Sequence, residues 1–210
     1  MKSSISGLVN NVSLLVATLL ASTLALVQQA NADCDVSFDG EKLEIKCDDA
    51  DDSILVRQDG AGSLLVDIGS GEENVGPVDD LKDVVIESEG GNDIVAVVAL
   101  SVTDSVEVKT GKGNDFVVVA IDVTIGNDLK IETGSGADVI RLGFDVLVAN
   151  SVDIKTGGGG DTVDARFGSG VIAGNDIKIN GEGGNDLLEV GGNLDVGNSL
   201  EIKDFETVNP

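Results

Sequence analysis

Five aspartates, Asp93, Asp115, Asp138, Asp161 and Asp186, close glycine-rich stretches at intervals of 22, 23, 23 and 25 residues. Glycine-rich turns expose backbone carbonyls, and carbonyls together with carboxylates are the hard oxygen donors that Ca²⁺ requires. If the repeats stack, the carboxylates form one column with no alternation of sign. Like charges ~4.8 Å apart repel by about 1 kcal/mol in bulk water, and by several times more at lower effective dielectric. Such a column must be neutralised or must splay into solvent. Two chemistries answer the pattern. Either Ca²⁺ bridges neighbouring turns through these five aspartates, or glycine supplies positive φ and Asp closes an Asx-turn without any metal.

Other site chemistry is restricted by composition. The chain has 210 residues and no histidine, which removes Ser-His-Asp and Cys-His nucleophiles and His-ligated zinc. It carries 38 acidic against 13 basic side chains, a formal charge of −25. That balance argues against sequence-independent binding to nucleic acid or to an anionic membrane, which need a basic face. It suits calcium, basic partners, or solubility outside a cell. The arginines are Arg57, Arg141 and Arg166, the last two placed to lie outward on neighbouring coils.

The elements that would position the aspartates repeat with them. Val84-Val85-Ile86, Val106-Glu107-Val108, Leu129-Lys130-Ile131, Val152-Asp153-Ile154, Ile177-Lys178-Ile179 and Leu200-Glu201-Ile202 begin 22, 23, 23, 25 and 23 residues apart. A glycine turn follows each of the first five, then two more apolar stretches, then a corner at Asp104, Asn127, Asn150, Asn175 or Asn198. A period of this size built only from strands predicts a β-solenoid. The expected fold is therefore all-β: a right-handed parallel β-solenoid with three short strands per ~23-residue coil. The two-residue strand period points Val106/Val108, Leu129/Ile131, Val152/Ile154, Ile177/Ile179 and Leu200/Ile202 at one axis. Val117/Val119, Ile140/Leu142, Val163/Ala165 and Leu188/Val190 join them, as do Leu100/Val102, Val123/Ile125, Val146/Val148, Val171/Ala173 and Leu194/Val196.

The outward positions provide an independent check. One column reads Glu107, Lys130, Asp153, Lys178, Glu201, and its neighbour Glu87, Lys109, Glu132, Lys155, Asn180, Lys203. Signs alternate from coil to coil, as parallel in-register stacking demands and a merely solvated strand face does not. At the second corner, Asn127, Asn150, Asn175 and Asn198 would form an uncharged amide ladder with a structural role. In one region the apolar-polar alternation fails: Ala96, Val98, Val118 and Ala120 stand where later coils have Arg141, Asp164 and Glu189. Left exposed, they would form an interface patch, so another segment or a second copy is expected to cover the face around Val98 and Val118.

Gly111-Lys112-Gly113-Asn114-Asp115-Phe116-Val117, Gly134-Ser135-Gly136-Ala137-Asp138-Val139-Ile140 and Gly157-Gly158-Gly159-Gly160-Asp161-Thr162-Val163 resemble the haemolysin-type (RTX-like) nonapeptide GGxGxDxUx. Gly91-Asn92-Asp93-Ile94-Val95 and Gly184-Asn185-Asp186-Leu187-Leu188 match its later half. The resemblance implies calcium between turns of adjacent coils, held by the Asp and by glycine-loop carbonyls. The departures are plain. Thr110, Thr133 and Thr156 replace the first glycine, and the motif occurs once per long coil rather than every nine residues. The family usually leaves the cell by a C-terminal signal, whereas here an N-terminal one is read.

That signal spans 1–32. Lys2 is followed by an apolar run from Leu14 to Val27, and Ala30-Asn31-Ala32 places cleavage before Asp33. The run falls short of the ~20 residues that cross a bilayer, so no membrane span is expected. Residues 33–53 read as a hairpin cap around Asp39-Gly40-Glu41-Lys42, with Phe38 facing Leu43, Val36 facing Ile45, and Cys34 facing Cys47 in a disulfide. Residues 54–83 form one or two irregular coils, with Ser63 standing where later turns have Asp, and 84–210 the regular repeats. The chain is thus expected outside the cytoplasm, secreted, periplasmic or at the cell surface. It reads as a non-enzymatic structural or binding (adhesion) module for an unknown protein or polysaccharide. The alternatives are a polysaccharide lyase, for which the short turns build no cleft, and an ice-binding face on the Thr110, Thr133, Thr156 column, which Lys109, Glu132 and Lys155 interrupt.

Overall fold

A computed structural model describes residues 33–78, 80–143, 145–167, 171–191 and 194–209. The leader read at 1–32 lies outside these residues, as does the side chain of Arg166.

Inward Val, Ile and Leu at every second position cannot be buried by one coil alone, so the coils stack. The stack is an all-β solenoid of about five turns. Successive first strands pair in parallel, without slip, from Asp83–Glu87 through Val106–Lys109, Leu129–Glu132, Val152–Lys155 and Asp176–Asn180 to Ser199–Lys203. Second strands form another parallel ladder, Ile94–Val98, Phe116–Ala120, Val139–Gly143, Thr162–Phe167, Leu187–Val190 and Thr207–Asn209. Third strands form a ladder from Ser101–Val102 to Leu194–Val196. The expected inward pairs of the middle coils are fully buried and make one continuous core.

The charge columns fall in register as expected. Lys130 Nζ lies 3.2 Å from Glu107 and 3.2 Å from Glu132, and Lys155 Nζ lies 3.4 Å from Glu132. Lys109 bridges Glu107 at 2.8 Å and Glu87 at 3.6 Å. Side chains on this face are about one-third exposed, so each pair contributes tenths of a kcal/mol and chiefly fixes register. The asparagine corner is an amide ladder from Asn127 to Asn175: Asn150 Nδ2 donates to Asn127 Oδ1 at 3.2 Å and Asn175 Nδ2 to Asn150 Oδ1 at 3.3 Å, whereas Asn198 Nδ2 donates to Asp176 Oδ1 at 2.8 Å.

The N-terminal end has the expected hairpin but departs from expectation after it. Strand β1 (Asp35–Phe38) pairs antiparallel with β2 (Lys42–Lys46) in the expected register, and Cys34–Cys47 is a disulfide. The hairpin caps the N-terminal end of the stack as expected. Its second strand pairs in parallel with the first regular strand, Leu43 opposite Val84 and Ile45 opposite Ile86, so the stack starts at Lys42. Next, β3 (Ser53–Gln58) pairs in parallel with Ile94–Val98, completing a first coil. Strands β4 (Ser63–Asp67) and β5 (Glu72–Pro77) then leave the coil as an antiparallel excursion at the sheet edge. Ser63 is therefore no counterpart of the turn aspartates; Asp52, just before β3, takes that place.

Three further details refine the expectation. Three glycine turns contain two-residue strands of their own, Ser135–Gly136, Gly158–Gly159 and Gly183–Gly184, giving those coils a fourth strand. Leu200 keeps its inward register opposite Ile177 but is 46% exposed, because no described coil stacks beyond it. Ala96, Val98, Val118 and Ala120 are 9% exposed at most, although they lie outside the core cluster, so this face is covered within the single chain.

Candidate functional site: the aspartate column

The five aspartates do share one column, but not as a solvated edge. Asp93, Asp115, Asp138, Asp161 and Asp186 are 1–2% exposed. The reason is a backbone requirement. At the corner between first and second strands each aspartate presents an N–H whose direction leaves the strand ladder, and a buried N–H without a partner is costly. The carboxylate one coil further along supplies the acceptor. The N–H of Asp93 donates to Asp115 Oδ1 at 2.9 Å, that of Asp115 to Asp138 Oδ1 at 2.8 Å, that of Asp138 to Asp161 Oδ1 at 2.8 Å, and that of Asp161 to Asp186 Oδ1 at 2.9 Å.

The column is longer than its sequence motif. At one end the N–H of Asp52 donates to Asp93 Oδ1 at 2.8 Å, and at the other that of Asp186 donates to Glu206 Oε2 at 2.6 Å. Neither terminal residue follows a glycine repeat, and Asp52 lies 41 residues from Asp93 because the β4–β5 excursion intervenes. The signal that could have located Asp52 was the Asp-Ser-Ile-Leu-Val run after the hairpin, which matches the Asp-apolar start of later second strands.

The second carboxylate oxygen has a different fate. Oδ2 of each of the five, and both oxygens of Asp52, are buried with no hydrogen-bond partner among the described residues. Beside the column runs a row of small hydroxyl residues, Ser88, Thr110, Thr133 and Thr156, all 0% exposed. Thr110, Thr133 and Thr156 donate their hydroxyls to carbonyls one coil on, at 3.2, 3.0 and 3.0 Å. Their burial leaves no threonine face for ice. Gly181 continues the row, and a Cβ there would lie 2.7 Å from Asp186 Oδ2.

Burial disfavours the charged form of these acids. It pushes Asp93 up to about 7, against a partial offset from the Asp52 N–H, and Asp138 up to about 6. Asp115 and Asp161 are raised by the same desolvation. Asp52 is pushed up to about 6, by burial first and by Asp48 and Asp51 next. Asp52 also has a carboxylate oxygen within 4.8 Å of both disulfide sulfurs, Cys34 and Cys47.

Calcium needs six to eight oxygens in a shell. No three carboxylates of the column bring oxygens within 4.8 Å of one another among the described residues. The turn carbonyls of Gly111, Gly134 and Gly157 accept N–H bonds from the next coil at 2.8, 2.7 and 2.8 Å. Gly136, at φ +142°, stacks so closely that a Cβ would sit 1.5 Å from the Gly113 carbonyl oxygen. Close backbone approach thus accounts for these glycines, and one oxygen of each aspartate is already committed.

Elsewhere, Arg141 is exposed with its guanidinium 5.1 Å from the Phe116 ring centroid, a cation–π contact between neighbouring coils. A shallow concavity of about 260 Å³ on the charged face is lined by Asp153, Lys155, Lys178, Glu201 and Lys203 among others. No described helix is long and apolar enough to cross a membrane.

Fold and column together define a parallel β-solenoid held by side-chain ladders. No family pattern matches the chain, and no characterised protein or solved structure shows significant similarity to it. The likeness to haemolysin-type repeats therefore rests on the turn residues alone.

Proposed function

We propose that this chain is an exported, non-enzymatic β-solenoid, a rigid structural or binding module of the space outside the cytoplasm. One observation carries the reading: the polar side chains of the repeats are spent on neighbouring coils. Aspartates hold backbone N–H groups, threonines hold carbonyls, asparagines hold asparagines, and lysines hold glutamates. Groups so committed stiffen the rod and are not presented to a substrate. The Cys34–Cys47 disulfide supports an oxidising compartment. The regular faces suit a repetitive partner such as a polysaccharide or a protein strand. The face around Val98 and Val118 supports self-association poorly, since its side chains are already covered.

On the same reading the aspartate column is a backbone anchor and not a calcium site. Melting curves in millimolar calcium and in chelator should coincide for the native chain and for Asp138→Asn. A calcium site would raise the native melting temperature by several degrees, because a ligand a hundredfold above its Kd stabilises by about 2.7 kcal/mol. A panel of acidic and neutral polysaccharides tests the rest: retention without bond cleavage is expected, and release of unsaturated uronate would establish the lyase alternative.

A further inference from the structure

The two ends of the stack are built differently. At the N-terminal end the sheet edges carry protective features: β1 is short and begins with Asp35, while β5 carries Glu72, Glu73 and Pro77. Proline, adjacent like charges and brevity all discourage another strand from pairing there. At the opposite end, Ser199–Lys203, Thr207–Asn209 and Leu194–Val196 are the last strands of their sheets. Their inward residues lie open, Leu200 at 46% and Val208 at 48% exposed, with Leu194, Val196 and Ile202 partly so. Lys203 turns its carbonyl toward the stack, accepting from the Gly181 N–H at 3.0 Å. Backbone direction alternates along a strand, so the Ile202 N–H and carbonyl face the open edge.

We propose that this edge is a docking surface for the same edge of a second copy, the two Ser199–Lys203 strands pairing antiparallel about a two-fold axis at Ile202. The register follows from side-chain direction and charge. Leu200 and Ile202 must stay on the core side, which permits only registers that pair even with even and odd with odd numbers. Pairing Leu200 with Ile202 sets Glu201 opposite Glu201, pairing Lys203 with itself opposes two lysines, and pairing Leu200 with itself sets Glu201 opposite Ser199 and gains no ion pair. Placing Ile202 opposite Ile202 sets Glu201 opposite Lys203 of the second copy, twice by symmetry. Within one chain these two side chains already pair at 2.6 Å on the exposed edge, so their charges are in position. The contact is isologous and closes after two copies. It covers Leu200, Ile202 and Val208 and continues the core from one rod into the other.

Sedimentation velocity of the full chain tests this, with charge variants that leave the core untouched. The native chain should sediment as a dimer. Glu201→Lys or Lys203→Glu alone places like charges opposite each other twice and should raise the dimer Kd about tenfold or more. The double variant Glu201→Lys/Lys203→Glu restores both pairs and should restore the dimer. Ile202→Cys should form a disulfide-linked dimer under oxidation. A native chain that stays monomeric at high micromolar concentration, a double variant that stays dissociated, or assembly beyond two copies would each overturn the proposal. Circular dichroism of every variant separates loss of pairing from loss of fold.

Discussion

Raising the pH from about 5 to about 8 should destabilise this protein, and the buried column sets the size of the effect. An acid whose pKa rises on folding keeps its proton in the native state while the unfolded chain releases it. The unfolded state then binds fewer protons, and stability falls as pH rises until the folded pKa is passed. Asp93 is pushed up to about 7, and Asp52 and Asp138 to about 6, each by burial first. At 1.36 kcal/mol per unit, Asp93 accounts for a fall of about 3 kcal/mol across this window and the other two for about 1 each, so on the order of 5 kcal/mol in all. Asp115 and Asp161, raised by the same desolvation, add to the fall in the same direction. The chain has no histidine. The lowered carboxylates Glu107, Glu132 and Glu201, held down by lysines, lose their contribution only below the usual carboxylate range. Urea unfolding at constant ionic strength should show the midpoint falling from pH 5 to about pH 7 and levelling by pH 8, with an unchanged slope. Asp93→Asn, which keeps the acceptor oxygen without a charge, should remove about half of the fall. A flat or rising profile would refute the view that these carboxylates are buried against their charge.

Other perturbations read the stack itself. Gly136→Ala should unfold or severely destabilise the chain, because its Cβ would overlap the Gly113 carbonyl oxygen at 1.5 Å; Gly158→Ala, with 3.8 Å to the nearest atom, should stay within about 1 kcal/mol of native by thermal melting. Lys130→Glu places a carboxylate among Glu107, Glu132 and Asp153 and should cost about 1–2 kcal/mol, mostly recovered by added salt. Breaking the disulfide with Cys34→Ser should cost about 2–3 kcal/mol in denaturant melts, since it closes a loop over a sequence separation of 13.

Much of the fold is legible because the same side-chain environment recurs every coil. Val106, Leu129, Val152 and Ile177 announce one buried row, and the sign changes from Glu107 to Lys130 to Asp153 specify parallel register without any structure. The hairpin register is legible for the same reason, Val36 and Ile45 sharing one side of a short ribbon. What is not legible lies where the repeat is interrupted. Asp52 belongs to the column, but the β4–β5 excursion displaces it by most of a coil length and makes Ser63 look like the better match. Leu200 obeys the period and is still exposed, since burial depends on a neighbour that periodicity cannot supply. The aspartates were recognisable as a column, yet their direction was not. A turn aspartate can point to solvent or to a backbone N–H one coil away, and only the corner geometry decides.

A parallel in-register stack places each residue beside its own counterpart, which is harmless for valine and a problem for every polar side chain. The chain resolves it three ways on three faces. On the outer strand face, charge alternates between coils, so Lys130 sits between Glu107 and Glu132. At the far corner the repeated group is an amide, which donates at one end and accepts at the other, so Asn127, Asn150 and Asn175 can be identical in every coil. The aspartate column can do neither, because an ionised carboxylate only accepts. Its repeat is tolerable because the donor comes from the backbone, one N–H per coil, while burial favours the neutral acid at the second oxygen. A neutral acid is the aspartate equivalent of the asparagine amide, acceptor on one atom and donor on the other. Aspartate where asparagine would serve equally in acid therefore leaves the stability of this stack dependent on pH, the fall that the urea titration is expected to read.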